Sequence, residues 1–156
     1  MKQLMTIALA VAMATGLAAC TTMTTGERGS AGEAQALVAR AIEAYDANGV
    51  ASFADMTAPN TGFVDRDLYV FVFDPNHRLV AHGANAELIG DDATVLVDAN
   101  GVPFGNTMIV TADEDGEWVD YTWIDPLTGN EVPKSSFVVL HDGYIFGSGI
   151  YLIDGE

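Results

Sequence analysis

Residues 117–152 read EWVDYTWIDPLTGNEVPKSSFVVLHDGYIFGSGIYL, and their texture decides the fold. Three runs dense in β-branched and aromatic residues, Glu117–Ile124, Ser135–His141 and Tyr144–Leu152, alternate with turn-forming residues. Pro126, Gly129 and Pro133 mark the first connection, and Asp142-Gly143 is a tight-turn signal for the second. Strands joined this closely pair antiparallel, because a parallel return needs a crossover of a dozen or more residues.

Toward the N-terminus, residues 84–116 read as a loop-and-helix insertion, with Asn106–Ala112 as its best helical piece. Asp67–Phe73 (DLYVFVF) is a further strand. Asp74-Pro75-Asn76 turns the chain, and Arg78–His82 returns as the second arm of a hairpin. From Glu33 to Asn48 the residues Leu37, Val38, Ala41, Ile42 and Tyr45 recur at helical spacing, and Gly49 is a stop. A short helix over Val50–Met56 closes at Pro59. Helix, hairpin, insertion and three consecutive strands predict one α+β domain, with an antiparallel sheet of about five strands.

The first residues have a different character. Lys2 precedes an uncharged run from Leu4 to Ala14, and small residues lead into Leu17-Ala18-Ala19-Cys20. A basic start, a short apolar core and a small-residue cleavage site are the parts of a secretory signal. Leu-Ala-Ala-Cys resembles a bacterial lipobox, and Cys20 is the chain's one cysteine. The resemblance implies cleavage after Ala19 and acylation of Cys20, with several acyl chains forming a durable anchor. By the same resemblance, Thr21 after the cysteine favours the outer membrane. Residues 1–19 are therefore expected to be a lipoprotein signal, 20–32 a lipidated Cys with a Thr/Gly/Ser-rich tether, and 33–156 the folded domain.

Six basic residues stand against 22 acidic ones, for a formal charge of −16. Lys2 lies in the signal, so the chain from Cys20 would carry −17. Such a charge repels nucleic acid and anionic lipid. The mean hydropathy of +0.22 owes part of its sign to the signal, and no second apolar stretch approaches a span of ~20 residues.

Several blocks occur in a recognisable order: AHG at 81–83, DANGVPF at 98–104, W-x-x-Y-x-W at 118–123, PKSS at 133–136 and GSGIY at 147–151. Together they resemble the single Cache domain, a PAS-like extracytoplasmic sensor module, over about Gly32 to Leu152. The resemblance implies a long N-terminal helix packed behind a five-stranded antiparallel sheet. It also implies a pocket between the other sheet face and the insertion, binding a small metabolite, often a short carboxylate. Receptor members continue into transmembrane and signalling segments. None follows Leu152 in this sequence, so output is expected through a separate envelope or signalling protein.

Within that frame, Lys134 is the leading ligand-binding candidate. From Leu79 onward it is the one Lys or Arg against fourteen Asp and Glu, and an ammonium there could hold a carboxylate by charge-assisted bonds. Spacing alone favours a pair with Asp120 or Glu131, and the resemblance brings the two readings level. Period-2 alternation places Tyr121 and Trp123 on one strand face and Trp118 on the other. The first two are expected in the pocket wall, although aromatics on a sheet also serve simply as core. His82 is a hydrogen-bond donor to the ligand or a strand-end histidine bonded to backbone. Phe104 closes the pocket from the insertion, and Ser136 and Tyr144 are further donors.

His77, His82 and His141 lack ligand-like spacing, and neither Asp98-x-Asn100-Gly101 nor DEDGE at 113–117 completes a calcium loop. No nucleophile elbow or phosphate loop is visible. The expectation is a non-enzymatic, lipid-anchored binding protein facing the periplasm, with no cofactor or metal. The alternative is an envelope protein-interaction module without a small ligand.

Overall fold

The computed structural model describes residues 28–153. The expected signal, Cys20 and tether residues 21–27 lie outside the described residues.

Helix α1 runs Ala31–Asn48. It starts two residues earlier than its apolar spacing indicates because Ser30 builds a capping box: its Oγ accepts from the Glu33 N–H, and the Glu33 carboxylate accepts from the Ser30 N–H at 2.8 Å. Gly49, at φ +62°, ends the helix with its N–H bonded to the Tyr45 carbonyl. A 3₁₀ turn over Gly49–Ala51 leads into α2, Ser52–Thr57.

Two short strands, β1 (Val64–Asp65) and β2 (Leu68–Tyr69), pair with each other; β1 was not expected. After a break at Val70 come β3 (Phe71–Phe73) and β4 (Leu79–His82). The insertion holds 3₁₀ turns at Ala86–Leu88 and Ala93–Val95, then helix α3, Phe104–Thr111. Strands β5 (Glu117–Ile124), β6 (Glu131–His141) and β7 (Tyr144–Tyr151) complete the chain. The main sheet has the order β4-β3-β7-β6-β5, antiparallel throughout. Its first strand lies beside its last, which puts β7 in the interior.

Two boundaries need correction. The sequence marks Pro133 as part of a connection, yet β6 begins at Glu131 and Pro133 lies opposite Thr122. Its carbonyl accepts from the Leu152 N–H on the β7 side, where a proline has no N–H to return. That missing bond coincides with the end of the β6–β7 ladder. The second correction concerns the tether, because residues 28–32 belong to the folded body. Arg28 Nη1 meets Asp67 at 3.2 Å and Nη2 meets Asp125 at 2.8 Å, with both carboxylates fully buried. Gly29 donates its N–H to Asp67 at 2.7 Å.

The sheet buries both faces. On one, Ala34, Leu37, Val38 and Ala41 of α1, with Phe53 and Met56 of α2, cover Val70, Val72, Val139 and Phe146. This repeats on α1 the apolar stripe read from the sequence. On the other, α3 and the 3₁₀ turns cover Tyr69, Phe71, Phe73, Val119, Tyr121, Val138 and Ile145.

Candidate ligand-binding site

The second face holds the site. Alternation along β2 and β3 brings Tyr69, Phe71 and Phe73 to it, and alternation along β5 brings Val119, Tyr121 and Trp123. The insertion supplies the roof. Asp98 pins it down: Oδ1 accepts the N–H groups of Asn100 and Val102, both at 2.8 Å, and Oδ2 accepts that of Thr122 on the edge strand at 2.9 Å. The acidic turn is thus a fastening of the roof to β5. Phe104, first residue of α3, then stacks on Tyr121 with ring centroids 4.4 Å apart and planes at 9°, while Trp123 meets Phe104 edge-on.

These side chains, with His82, Leu88, Asp91, Leu96 and Met108, line a half-open pocket whose free volume is about 30 Å³. That is room for ~2 water molecules. The lining is almost wholly apolar, apart from the imidazole, the phenols, the indole N–H and Asp91 at the mouth.

Lys134 lies under this lining, only 1% exposed. Its Nζ donates to the Tyr69 hydroxyl at 2.8 Å and sits 4.0 Å from the Tyr69 ring centroid and 4.8 Å from that of Tyr151. Tyr151 donates to the Ile124 carbonyl at 2.7 Å, so its oxygen is the acceptor for Tyr69, 3.2 Å away. Protons therefore point in one direction along Lys134, Tyr69, Tyr151 and Ile124. Neither acid considered from the sequence pairs with Lys134. Asp120 accepts from Ser135 instead, and among the described residues no carboxylate lies within ion-pair distance of Nζ. Burial drives the Lys134 ammonium down to about 7, opposed by the more distant Asp67.

His82 is also buried. Its Nδ1 accepts the Asn85 N–H at 2.9 Å, which leaves the proton of the neutral ring on Nε2 as a donor. One nitrogen thus serves backbone, while the ring lines the pocket. Burial first, then the Lys134 charge, lower its pKa to about 3. Burial likewise raises the Tyr69 and Tyr121 phenols well above their ordinary value, so both are neutral donors.

Of the residues singled out from sequence, Lys134, Tyr121, Trp123, His82, Phe104 and Ser136 converge on this face. Ser136 is fully buried at 3.0 Å from the Tyr121 hydroxyl and acts by positioning it. Gly149 makes this possible, because a Cβ there would collide with Ser136; Gly147 gives the same clearance to the Phe71 ring. Tyr144 is a correction. Period 2 along β7 sends it with Phe146 to the opposite face, where it packs on Tyr45 and Phe53. Trp118 packs on Phe137, away from the pocket.

Sequence reading missed Tyr69, Phe71, Tyr151 and the Arg28–Asp67–Asp125 cluster. The signal for the first two was present, because Tyr69, Phe71 and Phe73 share parity in DLYVFVF.

A family model described as single Cache domain 2 matches residues 4–154. The chain belongs to the single Cache domain 2 family. The fold agrees: a methyl-accepting chemotaxis protein from Vibrio parahaemolyticus superposes with a TM-score of 0.67 at 22% identity, over 79% of this chain and 88% of that one. A periplasmic sensor domain of a chemotaxis protein gives 0.61 at 27% identity, over 78% and 94%. A Cache chemosensory domain described for its carboxylic acid recognition gives 0.59 at 21%, over 78% and 88%. In sequence, the chain is 32% identical over 93 residues to the methyl-accepting chemotaxis protein McpP of Pseudomonas putida, covering 58% of this chain and 17% of that protein. It is 33% identical over 91 residues to the sensor histidine kinase MctS of Rhizobium johnstonii, covering 57% and 20%. This Cache domain thus spans about a fifth or less of the curated relatives it matches. Among its described residues, no helix is long and apolar enough to cross a membrane.

Proposed function

We propose that this Cache domain captures a short carboxylate between Lys134, Tyr69, Tyr121 and His82, and reports it to a separate envelope or signalling protein. The observation that carries the reading is Lys134, a buried amine with neutral phenols around it and no carboxylate in contact to balance its charged form. Burying a charge without a counter-ion costs several kcal/mol, and an incoming anion would offset that cost. Tyr121 and the Nε2–H of His82 supply neutral donors, while Phe104 and Trp123 supply the apolar wall. The solved Cache domain described for carboxylic acid recognition supports the same ligand class. The chain's place in this reading is the periplasmic side of a bacterial envelope, held by a lipid on Cys20, with residues 1–19 removed.

A thermal-shift screen of small organic acids tests the binding. At a hundredfold excess over Kd the ligand adds roughly 3 kcal/mol, a rise in Tm of about 10 °C for a domain of this size. No shift with any acid, or a shift that survives Lys134→Met, would overturn the site assignment. Labelling with radioactive palmitate in a bacterial host, compared with Cys20→Ser, tests the anchor.

One observation favours a second reading, a docking module without a small ligand: the free volume of about 30 Å³ is less than a carboxylate needs. A stoichiometric membrane partner whose binding is unchanged by Lys134→Met would support it.

A further inference from the structure

One acid, Asp67, acts on Lys134, but it is engaged elsewhere. Asp67 and Asp125 both bond Arg28, at 3.2 and 2.8 Å, and Asp67 also holds the Gly29 N–H. Asp125 further accepts from Leu127 N–H and the Thr128 hydroxyl. The groups that face the amine from the packed elements are Asp67 ahead of β2, Tyr69 on β2, Phe71 on β3, His82 on β4, Tyr121 on β5 and Tyr151 on β7. The phenols are un-ionised and the imidazole is neutral. Arg28 thereby engages Asp67, the carboxylate whose charge acts on Lys134.

We propose that the site takes its carboxylate together with a proton, which Lys134 binds and keeps for as long as the anion is present. The proposal rests on the carboxylate reading above and adds its regulation. Without ligand, part of the Lys134 population at neutral pH is the uncharged amine. A carboxylate then arrives, one proton comes from solvent to the amine nitrogen, and an ammonium–carboxylate pair results. The only bond made is the new N–H. Burial lowers the free amine's pKa to about 7, whereas a carboxylate in contact raises it. Affinity is therefore full below neutrality and declines as pH rises above it. The domain reads external pH and carboxylate as one combined quantity.

Isothermal titration calorimetry of acetate and propionate into the purified protein, in buffers of different ionisation enthalpy, reads the proton directly. Uptake should be close to zero near about pH 5.5, about half a proton at about pH 7 and nearly one at about pH 8.5. Affinity should fall roughly tenfold per pH unit above neutrality. Binding without uptake at any pH overturns the proposal and leaves the carboxylate reading standing. Uptake confined to the acid side also overturns it, because His82 would then be the proton acceptor. No binding of any small carboxylate overturns both. Lys134→Arg, whose charge does not titrate, should bind with no pH dependence in this range. If that variant does not fold, the wild-type titrations decide alone.

Discussion

The two faces of the sheet are built from the same strands and are buried to similar degrees, yet they are chemically opposite. Beneath α1, Leu37, Val38, Met56, Phe146 and the ring cluster of Tyr45, Phe53 and Tyr144 form a core whose phenols reach outward. The Tyr45 hydroxyl bonds Asp142 at the surface, at 2.7 Å. Beneath the insertion, a primary amine, an imidazole and three phenols are closed in with the aromatics. The first face follows the rule that apolar groups go inside and polar ends reach water, with Ser148, buried there without a partner for its Oγ, as an exception. The second departs from it at Lys134, and buried charge without a partner is tolerated where a ligand is to be met.

The contrast can be broken in order of effect. Phe146→Ala should cost the most, about 3–5 kcal/mol, because it opens a cavity in the helix-side core. Chemical denaturation measures it, and carboxylate affinity should change little in whatever fraction stays folded. Arg28→Ala should cost about 3 kcal/mol by leaving Asp67 and Asp125 buried without their cation. The bond from Arg28 is the leading cause that holds Asp125 down to about 2, against an ordinary 3.8. Its contribution is present above the ordinary value and lost as pH falls toward 2, so the variant's acid unfolding should begin at a higher pH.

On the pocket face the sign reverses. Lys134→Met should stabilise the ligand-free protein at pH 7, by about 1–3 kcal/mol, while abolishing any carboxylate-induced shift in Tm. Between about 7 and 10.5 the unfolded chain holds the lysine proton and the folded one does not. Wild-type stability should therefore gain from this group as pH rises through that window, and the variant should lack the gain. Smallest of all, Tyr121→Phe removes one hydrogen bond to Ser136 and should cost about 1 kcal/mol.

Legibility in the sequence divided along the same line. Alternation placed Tyr121 and Trp123 together and Trp118 apart, because parity within one strand is local information. The α1 stripe and the Asp142-Gly143 turn were legible for the same reason. Tyr144 was misplaced because its face depends on β7 lying between β3 and β6, a long-range pairing that spacing does not reveal. Arg28 was assigned to a tether because its partners, Asp67 and Asp125, lie 39 and 97 residues away. Lys134 stands out by its isolation, but its surroundings do not. Neither Glu131 nor Asp120, the acids that spacing suggests, pairs with it, and the acid whose charge acts on it, Asp67, lies far away in sequence.

The closed roof has a kinetic consequence. With Asp98 fastened to Thr122 and Phe104 stacked on Tyr121, the inner part of the pocket narrows to room for ~2 water molecules. An organic anion can enter only after those contacts part, so its association rate should level off at the opening rate as concentration rises. Once the roof settles over the anion in a wider arrangement, escape waits on the same contacts parting again. Occupancy then lags behind changes in the medium, and the domain averages its surroundings over the lifetime of the shut state.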